Sequence, residues 1–584
     1  MAEKHTYGQI LKSSALIGGS SLVNVAIGVV RTKVMAILLG PSGVGMMGLY
    51  GAILELTVNI AGMGINSSGV RQIAEAAGSG EAERVARTAV VLRRISIFLG
   101  LIGAAFLLGF SRFVSTLTFG SDQYAPAVAL LSIALFFNLV SAGQGALLQG
   151  MRRISDMARM GIWGTLGGAL ISIGVVYLFR EEGLVLSLVL PAAMSLAISW
   201  WYSRKIHLHM PRISAVQIGH EAAAMLRLGF AFMACGLLMS GAAYAVRLIV
   251  VRKVGFDAAG LYQSAWALGG LYIGFILQAM GADFYPRLTA IAKDNTECNR
   301  VVNEQAHVSL LLAGPGVIGT LTFAPLVIAI FYTPKFEGAV EILRWLCLGM
   351  TLRVISWPMG YIIVVKGVQN LLIFSEVAWT AVYLGLAWIG VNAFGLKGAG
   401  IAFFGSYVFH VLMIYVMVRK LSGFRWSTEN LQTSFLFLAL ITAVFCGYYA
   451  LPAWLAMGVG TLAVLLSGLY SLQVLLDLVS PDRLPGPIFR LLKGFKLIDA
   501  GSYGYEDVEA SCVKITVAGA ALVNKPLTGL KRLIFAIMIC TAFSLWAHWY
   551  KEVYGWSGEW KSLGLEVETL LPALPDRLKH WTGG

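Results

Sequence analysis

Charge is scarce in this chain. Asp, Glu, Lys and Arg together make up 13% of 584 residues, against 58% hydrophobic ones. A soluble chain of this length divides into several domains and needs far more charged surface to cover them, so a soluble protein is excluded. Cysteine is sparse as well. Six residues (235, 298, 347, 446, 512 and 540) lie scattered, several inside apolar runs, with no Cys-x-x-Cys pair and no Cys/His cluster. Neither a metal site nor a disulfide framework is indicated. Asp-x-Asp, the metal-holding motif of many glycosyltransferases, does not occur.

What is present is apolar sequence in runs of about 20 residues, each long enough to cross a ~30 Å hydrocarbon core. Fourteen transmembrane helices are predicted, at 12–38, 43–66, 88–110, 124–150, 159–178, 184–203, 226–251, 257–285, 304–331, 338–365, 371–392, 398–418, 432–450 and 453–478. Lys4 and Lys12 precede an apolar run too long for the h-region of a signal peptide, and no small-residue cleavage site follows. That run is expected to stay as the first span. A basic amphipathic stretch, "IFRLLKGFKLI" (488–498), either lies on an anionic inner leaflet or packs on the bundle. The run 533–549 is a candidate fifteenth span, and 551–584 is compatible with a periplasmic end.

The formal net charge of +14 invites a nucleic-acid reading, but the positions of the cations argue for topology. With the N-terminus cytoplasmic, inside segments carry Lys4, Lys12, Arg71, Arg84, Arg87, Arg93, Arg94, Arg152, Arg153, Arg159, Arg204, Lys205, Arg212 and Arg227. Arg287, Lys293, Arg300, Lys366, Arg419, Lys420 and Arg425 extend the series. Outside loops hold only Arg112, Arg180, Arg252, Lys253, Lys335 and Lys397. The bias holds loop after loop, as the positive-inside rule requires. A nucleic-acid partner is not implied.

An internal repeat is visible. "VVRTKVMAILLGPSGVGMMGLYGA" (29–52) is echoed by "AVRLIVVRKVGFDAAGLYQSA" (245–265). Each reads Val-Arg, an apolar stretch, a Gly-led break and Gly-Leu-Tyr opening the next helix. The fold expected is therefore all-α and polytopic, with two pseudo-symmetric six-helix lobes around a central cavity. The N-lobe spans 1–203, a cytoplasmic loop 204–225, and the C-lobe 226–420. An extra helix pair occupies 421–480 and a C-terminal extension 481–584.

Charges inside the spans point to the site. A charge at membrane depth costs several kcal/mol, roughly 2.5–3.5 for Arg on insertion scales. By the ~1.5 Å rise per residue, Arg31 and Arg247 sit roughly 12 Å below the outer boundary, Arg344 about 9 Å down, and Arg353 near the midplane. Glu55 and Asn59, one turn apart, also fall near the midplane; Asn24 shares a face with Arg31, and Gln144 and Glu376 complete the polar set. Each has a plainer reading. Lys33 and Arg344 have the option of snorkelling. Asn24, Asn59 and Gln144 have the option of interhelical hydrogen bonding, and Arg31 that of a structural ion pair with Glu55. Together, the excess of Arg over acid from both halves predicts a cationic cavity for an anionic ligand, and the planar guanidinium fork suits phosphate.

The segment "YGQILKSSALIGGSSLVNVAIGVVRTKVMAILLGPSGVGMMGLYGAILEL", followed by "GMGINSSGVRQIAEA", resembles the N-terminus of bacterial O-antigen translocases, the Wzx-type polysaccharide flippases. The likeness is dense through 7–95 and extends to about 425. Helices 13 and 14 resemble the extra pair of lipid II flippases. The resemblance implies lobes that rock between inward- and outward-open states in a bacterial inner membrane. It implies export of an undecaprenyl-pyrophosphate-linked oligosaccharide, and a first-helix cavity arginine at Arg31. No cofactor is expected beyond coupling to an H+ or Na+ gradient. Membrane lipids, and with them a polysaccharide polymerase and a chain-length regulator, are the partners implied. Two other classes compete. A multidrug and toxin extrusion antiporter shares the fold but uses cavity carboxylates. A membrane polymerase needs a large outside loop, which the fourteen spans do not leave.

Overall fold

The computed structural model describes residues 2–79, 81–206, 215–280 and 284–478. The stretch 488–498, the run 533–549 and the tail 551–584 lie outside the described residues, as does Arg212. The chain divides into two compact units, 1–434 and 435–584.

In the first unit, α1 (Ala2–Gly62), α2 (Ile65–Gly78), α3 (Ala82–Gly109), α4 (Ser111–Phe119), α5 (Ala125–Gly150), α6 (Ile154–Phe179) and α7 (Leu186–Ser203) make the N-terminal half. Then follow α8 (Ala215–Lys253), α9 (Phe256–Ala279), α10 (Tyr285–Ala290), α11 (Asn295–Thr322), α12 (Ala324–Phe331), α13 (Ala339–Val365), α14 (Gln369–Phe394) and α15 (Lys397–Ser422). The helix α16 (Thr428–Ala450) starts in the first unit, and α17 (Ala453–Leu478) lies in the second. Among the described residues, ten helices are long and apolar enough to cross a membrane, or eleven with the bent pair α11–α12 as one span. The 61-residue α1 is two helices merged across a kink at Gly40. With α1 divided there, and with α8 and α9 included, the fourteen predicted spans all have counterparts.

The internal repeat is written in the backbone more clearly than in the side chains. Gly40 (φ 66°, ψ −172°) and Gly255 (φ 113°, ψ −179°) end the first helix of each half in a conformation essentially reserved for glycine. Phe110 (φ −93°, ψ 10°) breaks α3 from α4 as Phe323 (φ −96°, ψ 20°) breaks α11 from α12. Arg152 (φ 53°) and Gly367 (φ 69°) follow α5 and α13, and Arg180 (φ 51°, ψ −126°) and Gly395 (φ 58°, ψ −142°) follow α6 and α14. These pairs recur at a near-constant offset, so the two halves share one backbone plan. In each half the helices pack as that plan demands: α3 on α5 and α5 on α7, α11 on α13 and α13 on α15.

At the end of α15, Asn303 of α11 fastens the connection that leads to α16. Its Oδ1 accepts from the Ser427 amide at 2.8 Å and from Asn430 Nδ2 at 2.9 Å, and its Nδ2 donates to the Arg425 carbonyl at 3.0 Å. In the second unit, Pro452 interrupts the chain before α17, and Phe437 meets Tyr470 at 6.3 Å between centroids.

Topology reporters provide a direct check. Fusions after Arg153, Arg212 and Arg425 are expected to read cytoplasmic, and those at Pro41, Lys335 and Lys397 periplasmic. A periplasmic signal from 204–227 would break the two-lobe arrangement.

Candidate functional site

The two halves meet first at the end where α1 kinks. Downstream of Gly40, α1 crosses α9 with backbone on backbone: a Cβ on Gly45 would lie 2.3 Å from the Phe256 carbonyl oxygen, and one on Gly260 1.9 Å from that of Pro41. Only glycine permits this crossing. Around it the rings of Tyr50, Phe119, Tyr124 and Phe256 cluster at centroid distances of 4.7–6.3 Å, and Thr118 and Tyr244 share a hydrogen bond of 2.5 Å.

Two cations fasten the same rim reciprocally. Lys33 of α1 donates to the Ala329 carbonyl at 2.7 Å and to that of Tyr332, at the C-terminus of α12. Arg252 of α8 donates to the Leu117 carbonyl at 2.7 Å and to that of Thr116, at the C-terminus of α4. The helices α4 and α12 are repeat equivalents, so each half caps the other's short helix. A cation there satisfies orphan carbonyls and meets the negative end of the helix dipole, worth about 0.3–1 kcal/mol when exposed. Lys33 is therefore engaged in an inter-lobe contact, which replaces the snorkelling reading.

A second set of contacts forms at the other end of α8. The first half of α8 lies against the N-terminal lobe: Met225 is fully buried in a cluster with Ile65, Ile73, Val91, Leu92 and Ile95. A Cβ on Gly64 would lie 2.1 Å from the Gly229 carbonyl oxygen. Arg87 and Glu221 pair across this contact at 3.1 Å.

Two cavities are formed, one from residues of each half. The C-lobe cavity, about 310 Å³, is lined by Gly270, Ile273, Gly274, Leu277, Met350, Arg353 and Trp357. The Arg353 guanidinium stands 4.7 Å from the Trp357 ring centroid, one helical turn on, and its buried Nε has no hydrogen-bond partner among the described residues. A cation–π contact of this kind contributes roughly 0.5–2 kcal/mol and leaves the fork's donors available. The N-lobe cavity, about 330 Å³, is lined by Gly51, Leu54, Glu55, Val58, Asn59 and Asn138. Here Asn59 Nδ2 donates to Ser240 Oγ of α8 at 3.1 Å.

The predicted residues thus fall into distinct places. Arg353 lines one cavity, and Glu55 and Asn59 the other. Glu376 on α14 is within electrostatic reach of Arg353. Arg31 is half-buried, its Nε buried without a hydrogen-bond partner, and among the described residues no ion pair joins it to Glu55. Asn24 approaches α6 beside Gly161. Arg247, 9% exposed, donates from Nε to Gln263 Oε1 at 2.9 Å and from Nη1 to the Ala243 carbonyl at 3.1 Å. Gln263 in turn packs on Gly48 beneath the α1–α9 crossing, so Arg247 belongs to that seal. Gln144 is buried between α5 and α7, where its carbonyl accepts from Ser199 Oγ at 2.8 Å. Arg344 is 3% exposed within α13 and lines neither cavity.

Sequence reasoning missed an aromatic chain behind Arg353. Tyr262 and Tyr383 share a hydroxyl contact of 3.1 Å, Trp379 stacks on Tyr383 and meets Tyr407 at a tilt, and His410 reaches Ser356 Oγ at 3.0 Å. It also missed Trp357 and Asn138. The i, i+4 spacing of Arg353 and Trp357 was a usable signal.

Residues 34–341 match the family described as polysaccharide biosynthesis protein. The chain belongs to that family. It is also similar to the lipid III flippases of Escherichia coli (strain K12) and Shigella flexneri. Each is 21% identical over 405 residues, a match covering 68% of this chain and 95% of the relative. Among solved structures, the lipid II flippase MurJ in an inward closed conformation matches with TM-score 0.60 at 14% identity, covering 79% of this chain and 99% of that one. An inward-facing multidrug resistance transporter of the MATE family matches with TM-score 0.58 at 17% identity, covering 68% and 96%. The fold is therefore the one these two solved structures share, and the chain is a multi-pass membrane protein.

Proposed function

We propose that this protein is a flippase that carries an undecaprenyl-pyrophosphate-linked oligosaccharide, an O-antigen or related repeat unit, from the cytoplasmic to the periplasmic leaflet. The observation that carries this reading is Arg353: a guanidinium midway along the apolar helix α13, seated on Trp357 and lining a cavity. Holding an arginine there is costly unless an anion uses it, and its fork matches a diphosphate. Arg31 supplies a second cation from the other lobe. The protein works in the bacterial inner membrane with its N-terminus cytoplasmic, alternating between two seals and coupled to an H+ or Na+ gradient. It makes and breaks no covalent bond. A polymerase and a chain-length regulator act on the delivered glycan. A cation-exporting antiporter is the second reading, and the Glu55 carboxylate in the N-lobe cavity is what favours it.

Depletion tests the proposal. In right-side-out spheroplasts, lipid-linked glycan exposed to an added impermeant lectin is expected to fall as the protein is depleted, while total lipid-linked glycan rises. An unchanged accessible fraction would overturn the flippase reading.

A further inference from the structure

The flippase reading assigns the anion-binding cavity of the C-lobe and leaves the N-lobe cavity without an occupant. That cavity is chemically unlike its counterpart. Gly51, Glu55 and Asn59 follow one another at i, i+4 and i+8 on α1 and present one face to it, and Asn138 of α5 closes it from the side. Among the described residues Glu55 makes no ion pair, and its side chain is exposed to the cavity. Asn59 gives one N–H to Ser240 Oγ and keeps its carbonyl and its second N–H. The polar lining is therefore the Glu55 carboxylate, which accepts, and the Asn59 and Asn138 amides, which both donate and accept. A carboxylate repels phosphate, so this cavity does not hold the diphosphate. It suits a neutral group that carries several donors.

Gly51 forms the floor. A Cβ placed there meets no atom within 4 Å, so the floor is open space that no packing requirement keeps empty. A cavity of about 330 Å³ stands at the lower end of the range for small-ligand sites, about 300–1,000 Å³.

We infer that the N-lobe cavity is a sugar seat: Glu55, Asn59 and Asn138 receive the hydroxyl and amide donors of the glycan while Arg353 holds the diphosphate. This rests on the flippase reading and adds to it a division of the head group between lobes. Asn59 ties the seat to α8 through Ser240, so a sugar there touches the side chain that bridges the two halves. The seat also gives a physical basis for selecting among glycans, because a sugar whose donors do not meet these groups forms fewer hydrogen bonds.

The test uses the purified full chain in nanodiscs with three probes: undecaprenyl diphosphate, undecaprenyl diphosphate bearing one N-acetylglucosamine, and tetraphenylphosphonium. Wild type is expected to bind the sugar-bearing lipid about tenfold more tightly than the bare one, the scale of a single hydrogen bond to a charged group. Glu55→Gln and Asn138→Ala should erase that preference and leave binding of the bare lipid unchanged. Gly51→Leu fills the floor from a position with room for it, and should do the same; Gly51→Ala is the milder variant if the leucine lowers yield. Arg353→Ala should weaken both lipids. If wild type binds the bare lipid with no preference for the sugar, or if Glu55→Gln and Gly51→Ala both keep the preference, the seat is overturned while the flippase reading stands. If wild type binds neither lipid but binds the phosphonium, and Glu55→Gln abolishes that, both readings fall and the antiporter takes their place.

Discussion

Replacing Arg353 by alanine is expected to abolish display of the surface glycan while the protein remains inserted and abundant; Arg31→Ala should do the same. A charge-assisted hydrogen bond contributes about 1.5–3 kcal/mol, and a bidentate contact to a diphosphate uses two, so flux should fall by roughly 10²-fold or more. Arg353→Lys should rescue poorly. An ammonium carries the charge but lacks the planar fork and its stacking on Trp357. Trp357→Ala is the companion variant: it removes the ring that seats the guanidinium and should reduce flux less than loss of the arginine. Immunoblots of membranes accompany the glycan assay. Normal display in both alanine variants would sink the cationic-cavity account. Disappearance of either protein from the membrane would assign that arginine to the structure and not to the ligand.

The pattern of what was legible follows from the kind of information each feature carries. Spans are set by apolar length, a property of contiguous sequence, so all fourteen predicted helices have counterparts. The Gly40 and Gly255 breaks were legible for a similar reason, since glycine advertises the backbone freedom it supplies. Arg152 and Arg180 hid half of the repeat, because they hold left-handed backbone where the second half uses Gly367 and Gly395. The backbone plan recurs, but the residue type does not.

That these polar residues lie within long apolar helices was readable from sequence; their facing was not. Glu55 and Gln144 are both polar residues inside apolar runs, yet one lines a cavity and the other is buried against Ser199. Nothing in either run states which neighbour its helix will have. Arg247 illustrates the same limit, because its partner Gln263 comes from the next helix and turns a cavity candidate into part of a seal. Lys33 and Arg252 were least legible of all. Their partners are backbone carbonyls of α12 and α4, which no side-chain pattern can signal.

Those two cations bear on the transport cycle, where the second large effect is expected. A diphosphate crossing the hydrocarbon unaided meets a prohibitive desolvation cost. On the proposed function the lobes enclose it, and only one seal opens at a time. The structure has the α1–α9 seal shut, with the segments around Gly45 and Gly260 in backbone contact. Opening it has to part that crossing and release both Lys33 and Arg252 from the helix ends they cap. A cysteine pair at Ser42 and Asp257, which flank the crossing on α1 and α9, is expected to form a disulfide in this state. The crosslink should stop glycan export, and export should return on reduction. Alanine at both Lys33 and Arg252 weakens the same seal, so the double variant should crosslink at Ser42 and Asp257 more slowly under mild oxidant. A crosslink that forms fully yet leaves export unchanged would mean that the two lobes do not part at this rim during transport.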